Sequence, residues 1–544
     1  MNSHDTFLTA GRPMFSRWSG GPAAVGTKPP VMNHSFALTR RSLLLGTAAV
    51  AVAPGLLRAS WAQPPAPYAG GPLAEVYGRI GTPRGRALGH SAAGPAGRAV
   101  TWLTTGADEL PTVVQWGIVP PGTPPGKVRQ GSTLTSTASG SSVLAPGGSF
   151  DDDTGTAAPI EGEHPVRVHS AELTGLPPGV EVAYRVGDGR TWSPVAVFRT
   201  PDAAAPFRLA HFGDHGVTVA SRRTTAAVAG RQPDAVLLAG DVSYANGYQP
   251  RWDEWAGQAE PLTSVVPLLP APGNHEAKDY YGETYRARFS TPGAGKNWYT
   301  TDLGRAALFV GTAGCFLTEN DPTTAADLVA DELVAMERSL AVAAARRAAG
   351  EIDFLVVAQH YPLYTNHATR GPFSPELVVA QEHILQRYQV DLVLVGHDHM
   401  YQRSLPMAYG EATGSALGYV QVVAGAGGNG LYEFADPAGP DWGDWCAAWS
   451  RRFSFVEYEF DQGEVRAVAS GWDDPQAAVV DEDSNAVDPE LRPEVLDAFT
   501  LRRKDDALVR SAALAPRPVT ELLAGVPEAR GVVVRNLAED CTRH

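Results

Sequence analysis

The sequence predicts a layered α/β domain preceded by an all-β domain, and three observations carry that reading. Between about residues 68 and 200, short alternating apolar stretches are separated by Gly, Pro and Ser turns, with almost no helical periodicity. Beyond residue 206, buried-looking apolar runs alternate with helical stretches. Several of those runs end in a glycine-bearing polar cluster, which is where open α/β sheets present ligand-binding residues.

In chain order, the first element is an export signal. Thr39-Arg40-Arg41-Ser42-Leu43-Leu44-Leu45 opens an apolar run to about Leu57, too short to span a bilayer, and it ends in Ser60-Trp61-Ala62. Residues 1–62 therefore read as a signal peptide cut after Ala62, with Met32 a plausible start. The paired arginines before leucines resemble the twin-arginine signal; an ordinary secretory leader with two arginines is the alternative. Residues 68–200 follow as one β-sandwich. Leu176-Pro177-Pro178-Gly179 running into Tyr184-Arg185-Val186 resembles the corner of fibronectin type III sandwiches. The Ser/Thr/Gly-rich tract 131–158, with Asp151-Asp152-Asp153, reads as a solvated loop. Residues 201–206 are the linker.

The α/β domain is placed at 206–504, with buried runs at 207–212, 235–239, 265–269, 306–310, 354–358 and 391–395. Residues 325–349 form a helix with acids early and arginines late, stopping at Gly350. Ser374-Pro375-Glu376 caps another. Strand-like pieces from Val420 to about Phe499 close a mixed sheet, and 505–544 form a C-terminal extension.

Composition narrows the function classes. The chain has 544 residues and a net charge of −15, with 19% charged and 44% hydrophobic residues, which excludes wholesale disorder. The acidic balance argues against a nucleic-acid or anionic-lipid partner, and no segment suits a membrane span. Three cysteines (Cys315, Cys446, Cys541) form no zinc-ribbon pattern; one disulfide is possible, and a buried free thiol is the reading for Cys315.

The polar strand ends carry the chemistry. They are Gly213-Asp214-His215-Gly216, Gly240-Asp241-Val242-Ser243-Tyr244, Gly273-Asn274-His275-Glu276, Gln359-His360 and Gly396-His397-Asp398-His399. Asp214, Asp241 and Asn274 offer oxygens, and His360, His397 and His399 offer imidazoles. That mixture suits iron, zinc or manganese better than calcium. Singly, each motif is as well explained by a turn or a helix cap; together, in order and after strands, they point to a metal centre. His211, His215 and His383 read as structural.

In that order, with Tyr244 after the second aspartate, the motifs resemble the purple acid phosphatases among the calcineurin-like metallophosphoesterases, over roughly residues 68–499. The resemblance implies a metallophosphoesterase sandwich behind a fibronectin III-like domain. It also implies a dinuclear centre: Asp214, Asp241, Tyr244 and His399 around Fe(III), and Asp241, Asn274, His360 and His397 around a divalent Fe, Zn or Mn. Asp241 would bridge, and His275 would lie beside the substrate phosphate. His367 is assigned a phosphate contact. The implied function is hydrolysis of small phosphate monoesters by metal-bound hydroxide, at acid to neutral pH, in an exported enzyme. A phosphodiesterase using the same metals is the alternative; from another class, an exported binding protein using its β-sandwich. The oligomeric state is left open.

Overall fold

The structure, a computed structural model, describes residues 82–90, 97–151, 156–158, 165–292, 297–312, 322–370, 375–413, 417–473 and 493–504. Residues 1–62, read above as an export signal, together with Asp152, Asp153, Cys315, Cys541 and residues 505–544, lie outside the described residues. Cys446 is a free, half-buried thiol.

Among the described residues, the N-terminal β region is built on two four-stranded layers. One contains Arg84–His90, Arg98–Thr105, Val166–Leu173 and Ser141–Leu144; the other contains Ala196–Arg199, Glu181–Gly187, Val113–Ile118 and Ser136–Ser139. Period-two alternation builds the core between them: Val182, Tyr184 and Val186 point inward with Val100, Trp102, Leu173 and Phe198. The tract read as a loop contains strands instead, at Ser136–Ser139, Ser141–Leu144, Ser149–Asp151 and Thr156–Ala158. Its first two strands lie at sheet edges and are only partly covered, so Ser and Thr serve where an apolar pattern was sought. Pro125–Arg129 adds one short helix that the β reading had not anticipated.

This region is continuous with the α/β part. Gly89 pairs in parallel with Leu268, so the first layer extends a sheet of the α/β part. Tyr184, the tyrosine of the fibronectin-like corner, donates its hydroxyl proton to Ser264 O at 2.7 Å rather than to its own loop. Arg86 pairs with Glu260 at 2.6 Å, and its carbonyl accepts from the Thr263 hydroxyl.

Among the described residues the α/β part is built on two large sheets, as a metallophosphoesterase sandwich implies. The first runs Glu494–Arg502, Glu464–Trp472, Phe453–Asp461, Phe207–Phe212, Ala235–Ala239, Leu268–Ala271. The second runs Tyr299–Leu303, Ala306–Val310, Phe354–Ala358, Leu392–Val395, Val420–Ala424, Tyr401–Ser404, Cys446–Ser450. Residues on alternate sides of each strand explain the layering. Leu209, Leu237 and Leu269 meet Leu308, Val356 and Leu394 between the sheets. Phe212, Val236 and Leu238 face Trp252 and Trp255 of the helix Gln249–Thr263. Leu355, Val357 and Val393 face Met336 and Leu340 of Pro322–Ala348 and Ile384 of Pro375–Tyr388. Apolar residues on both faces of a strand give the unbroken runs seen in the sequence. Pro322–Ala348 ends as expected: Gly350 takes φ +77° and its N–H reaches Arg347 O.

Candidate metal centre

The loops after the strands of both sheets meet at one end of this sandwich. Asp214, Asp241 and Asn274 follow three parallel strands of the first sheet; His360, His397 and His399 follow two of the second. Four of these loop residues occupy the left-handed region: Asp214 (φ +56°), Asp241 (+51°), Tyr244 (+56°) and His397 (+67°). For non-glycine residues each such conformation costs on the order of 1–2 kcal/mol, and the clustering marks a functional site. Two neighbouring glycines serve close approach instead: a Cβ on Gly273 would overlap Asp241 Oδ1, and one on Gly396 would lie 2.8 Å from Asp214 Oδ2.

Two groups of lone pairs result. In the first, Tyr244 Oη lies 3.1 Å from Asp214 Oδ1 and 2.8 Å from His399 Nε2, and these last two are 3.3 Å apart. His399 Nδ1 donates to the carbonyl of Gly430, so its Nε2 presents a lone pair. A single phenolic proton therefore faces two acceptors. In the second, His360 Nε2 lies 3.2 Å from Asp241 Oδ2 and 3.1 Å from Asn274 Oδ1. His360 Nδ1 donates to Ala239 O at 2.7 Å, so here too Nε2 is the lone pair when the ring is neutral. Turning the Asn274 amide over would satisfy Nε2 but leave it facing Asp241 Oδ2. Asp241, His360 and His397 bring ligand atoms within 4.8 Å of one another.

Buried acceptors aimed at each other need a cation or a proton between them. The titration behaviour says the same. Burial lowers the proton affinity of His360, but Asp241 and Asp214 outweigh it and hold the imidazolium up to about 9. Burial raises Asp214, and Asp241 adds to that; burial likewise holds the Tyr244 phenol far above its ordinary value, with both aspartates contributing. Two buried carboxylates, a phenol, an amide oxygen and three imidazoles fit two cations of the borderline type. The contacts place Asp241 in the second group, while its charge is felt by Asp214 in the first.

His275 lies at the edge. Its backbone N–H reaches Asp241 Oδ1 at 3.0 Å, its ring lies 4.3 Å from that of Tyr244, and Nδ1 meets Asn246 Oδ1. Burial lowers it to about 4 against the pull of Asp241. At His367, Nδ1 accepts the N–H groups of Thr369 and Arg370, and the ring meets Tyr432 edge-on at 5.2 Å. His215 faces away, spending its ring nitrogens on Trp255 Nε1 and Ser221 O.

The residue pattern did not single out several neighbours. Glu276 accepts the backbone N–H groups of Asp241, Val242 and Gly273 at 2.8, 2.9 and 2.8 Å. Tyr432 stacks on His399 with ring centroids 3.9 Å apart. Arg370 lies 2.8 Å from His397 Nε2. Glu276 stood within a quoted motif; the other two had no local signal.

The calcineurin-like phosphoesterase family profile matches residues 207–401, and that of the purple acid phosphatase N-terminal domain matches residues 90–200. Purple acid phosphatase 15 of Arabidopsis thaliana is 30% identical over 299 residues, 48% of this chain and 54% of the relative. Probable inactive purple acid phosphatase 1 of the same plant is 27% identical over 403 residues, 63% of this chain and 60% of the relative. The chain thus spans little more than half the length of these curated relatives. The solved purple acid phosphatase of yellow lupin seeds shares the fold at TM-score 0.60 and 22% identity, covering 80% of this chain and 77% of that one. With both profiles matched in adjacent segments, the chain belongs to the purple acid phosphatase family of calcineurin-like metallophosphoesterases.

Proposed function

We propose that the chain is an exported phosphoesterase with a dinuclear metal centre, acting on small phosphate monoesters at acid to neutral pH. The observation that carries the reading is the pair of converging donor groups, each with a histidine whose Nδ1 is committed to a backbone carbonyl. Asp214, Tyr244 and His399 would hold one cation, Fe(III) by family likeness. Asn274, His360 and His397 would hold a divalent iron, zinc or manganese, with Asp241 shared. Such cations supply Lewis-acid stabilisation of phosphoryl oxygens and a nucleophile from water at moderate pH.

The chain's own residues do the rest. Ala239 O and Gly430 O fix the tautomers of His360 and His399, so both present Nε2 without rearrangement. Glu276 fixes the strained turn that carries Asp241. His275 Nε2, 3.7 Å from Asp241 Oδ2, faces the donor groups and is placed to donate a proton to the leaving oxygen. Its lowered proton affinity restricts that role to acid pH or to a site where the substrate's own negative charge raises it.

Export rests on Arg40 and Arg41. A phosphoester panel with metal analysis tests the reading. Monoester hydrolysis that rises with bound metal supports it; diester-only turnover selects the phosphodiesterase alternative; a metal-free, inert protein leaves only binding.

A further inference from the structure

We infer that Arg370 contacts the substrate's phosphoryl group, an inference that rests on the proposed phosphoesterase reading. The starting point is a conflict of donors. Arg370 Nη1 lies 2.8 Å from His397 Nε2, and a guanidinium only donates, so Nε2 must accept. A cation on His397 is incompatible with that contact in either tautomer. Bound through Nε2, the cation takes the same lone pair; bound through Nδ1, it leaves Nε2 protonated and facing a second donor. Cation repulsion adds to both. Once His397 ligates, the Arg370 Nη1 donor that faced it needs another acceptor.

The surroundings hold Arg370 at the site while allowing that change. The side chain is 14% exposed; Asp398 Oδ1 is 3.5 Å away, and the guanidinium carbon lies 4.8 Å from the Tyr432 ring centroid. Tyr432 in turn stacks on His399, so the arginine rests on the wall of the first donor group. The Asp398 contact is one of charge: neither carboxylate oxygen has a hydrogen-bond partner. Tyr432 supplies a ring face and, through its hydroxyl, a hydrogen-bond acceptor that keeps the guanidinium at the site. His367 contributes from below, because its Nδ1 accepts the Arg370 backbone N–H and shapes the turn that presents the side chain.

The acceptor that the reaction brings is a phosphoryl oxygen. A planar fork of N–H donors matches phosphate better than a point charge, and Arg keeps its charge at every working pH. The site otherwise gathers the buried carboxyl groups Asp214, Asp241 and Asp398, so an anionic ester gains from a permanent cation at the rim.

The test is calorimetric titration of inorganic phosphate into the metal-loaded full chain, for wild type, Arg370→Gln and Arg370→Lys, with metal content measured alongside. Loss of a charge-assisted hydrogen bond predicts about 10- to 100-fold weaker phosphate binding in Arg370→Gln at unchanged metal content. Arg370→Lys should fall between, because it keeps the charge for Asp398 but not the fork. Phosphate affinity of Arg370→Gln within about twofold of wild type overturns the inference. So does loss of metal in both variants, which would make Arg370 a support for His397. A wild type that binds metal but no phosphate sinks this inference alone; one that binds no metal sinks the phosphoesterase reading with it.

Discussion

Glu276 holds Asp241 from behind: its Oε2 accepts the Asp241 backbone N–H at 2.8 Å, and its two oxygens together accept three backbone donors. Asp241 sits at φ +51°, and these bonds are what keep that turn in place. Burial and the charge of Asp241 push the Glu276 carboxyl up to about 8, while the backbone donors pull it down.

Glu276→Ala should therefore release the turn as well as remove hydrogen bonds. The expected loss is about 3 kcal/mol or more in urea unfolding, since three buried backbone donors are left without an acceptor at about 1–3 kcal/mol each. Metal content should fall in parallel. Unchanged stability and metal content would show that Asp241 is held by other means.

Tyr244 supplies the phenol of the first donor group. With Fe(III) bound there, its phenolate should give a visible charge-transfer band, and Tyr244→Phe should abolish it while Asp214 and His399 still retain metal. An iron-bearing wild type with no band that Tyr244→Phe removes would refute the assignment. A colourless zinc or manganese protein would leave the hydrolase reading intact and correct only the metal.

Much of this centre was legible because its signals are local. An apolar run followed by Gly-Asp or Gly-Asn-His reports a strand end and a donor in the same few residues. Arg370 and Tyr432 carried no such signal: their places beside His397 and His399 depend on loops distant in sequence coming together. Sheet membership was equally hidden. Leu268–Ala271 looks no different from other buried strands, yet it pairs with Ala235–Ala239 and, through Leu268, with Gly89 of the β region. The edge strands within 131–158 were missed because partly exposed pairing needs no apolar alternation.

Acid stability is set partly by histidines away from the metal centre. His169 lies between the hydroxyls of Thr104 and Thr112, 2.8 Å from each, and stacks on Trp102. Burial, with a smaller effect of Arg167, lowers it to about 4, and burial with Arg98 lowers His90 to about 3. These groups protonate in the unfolded chain near pH 6.5 but only at lower pH in the folded one. Their stabilisation is complete above about pH 6.5 and is lost as pH falls towards 4. Urea midpoints should drop over that window, and less so in His169→Gln. A flat midpoint from pH 7 to 4.5 would contradict the assignment.

Export has its own test. Arg40→Lys with Arg41→Lys should leave the protein in the cytoplasm, because the twin-arginine route reads the arginine pair itself. Normal export of the double variant would instead favour an ordinary secretory leader.

The two donor groups should hold two metal ions linked through Asp241. Metal per chain, measured by mass spectrometry on protein purified without added chelator, addresses this directly. Wild type should carry two equivalents, and Asp241→Ala should lose metal from both groups and hydrolyse no phosphoester. A wild type without metal, or an Asp241→Ala variant that keeps two full equivalents, would contradict it.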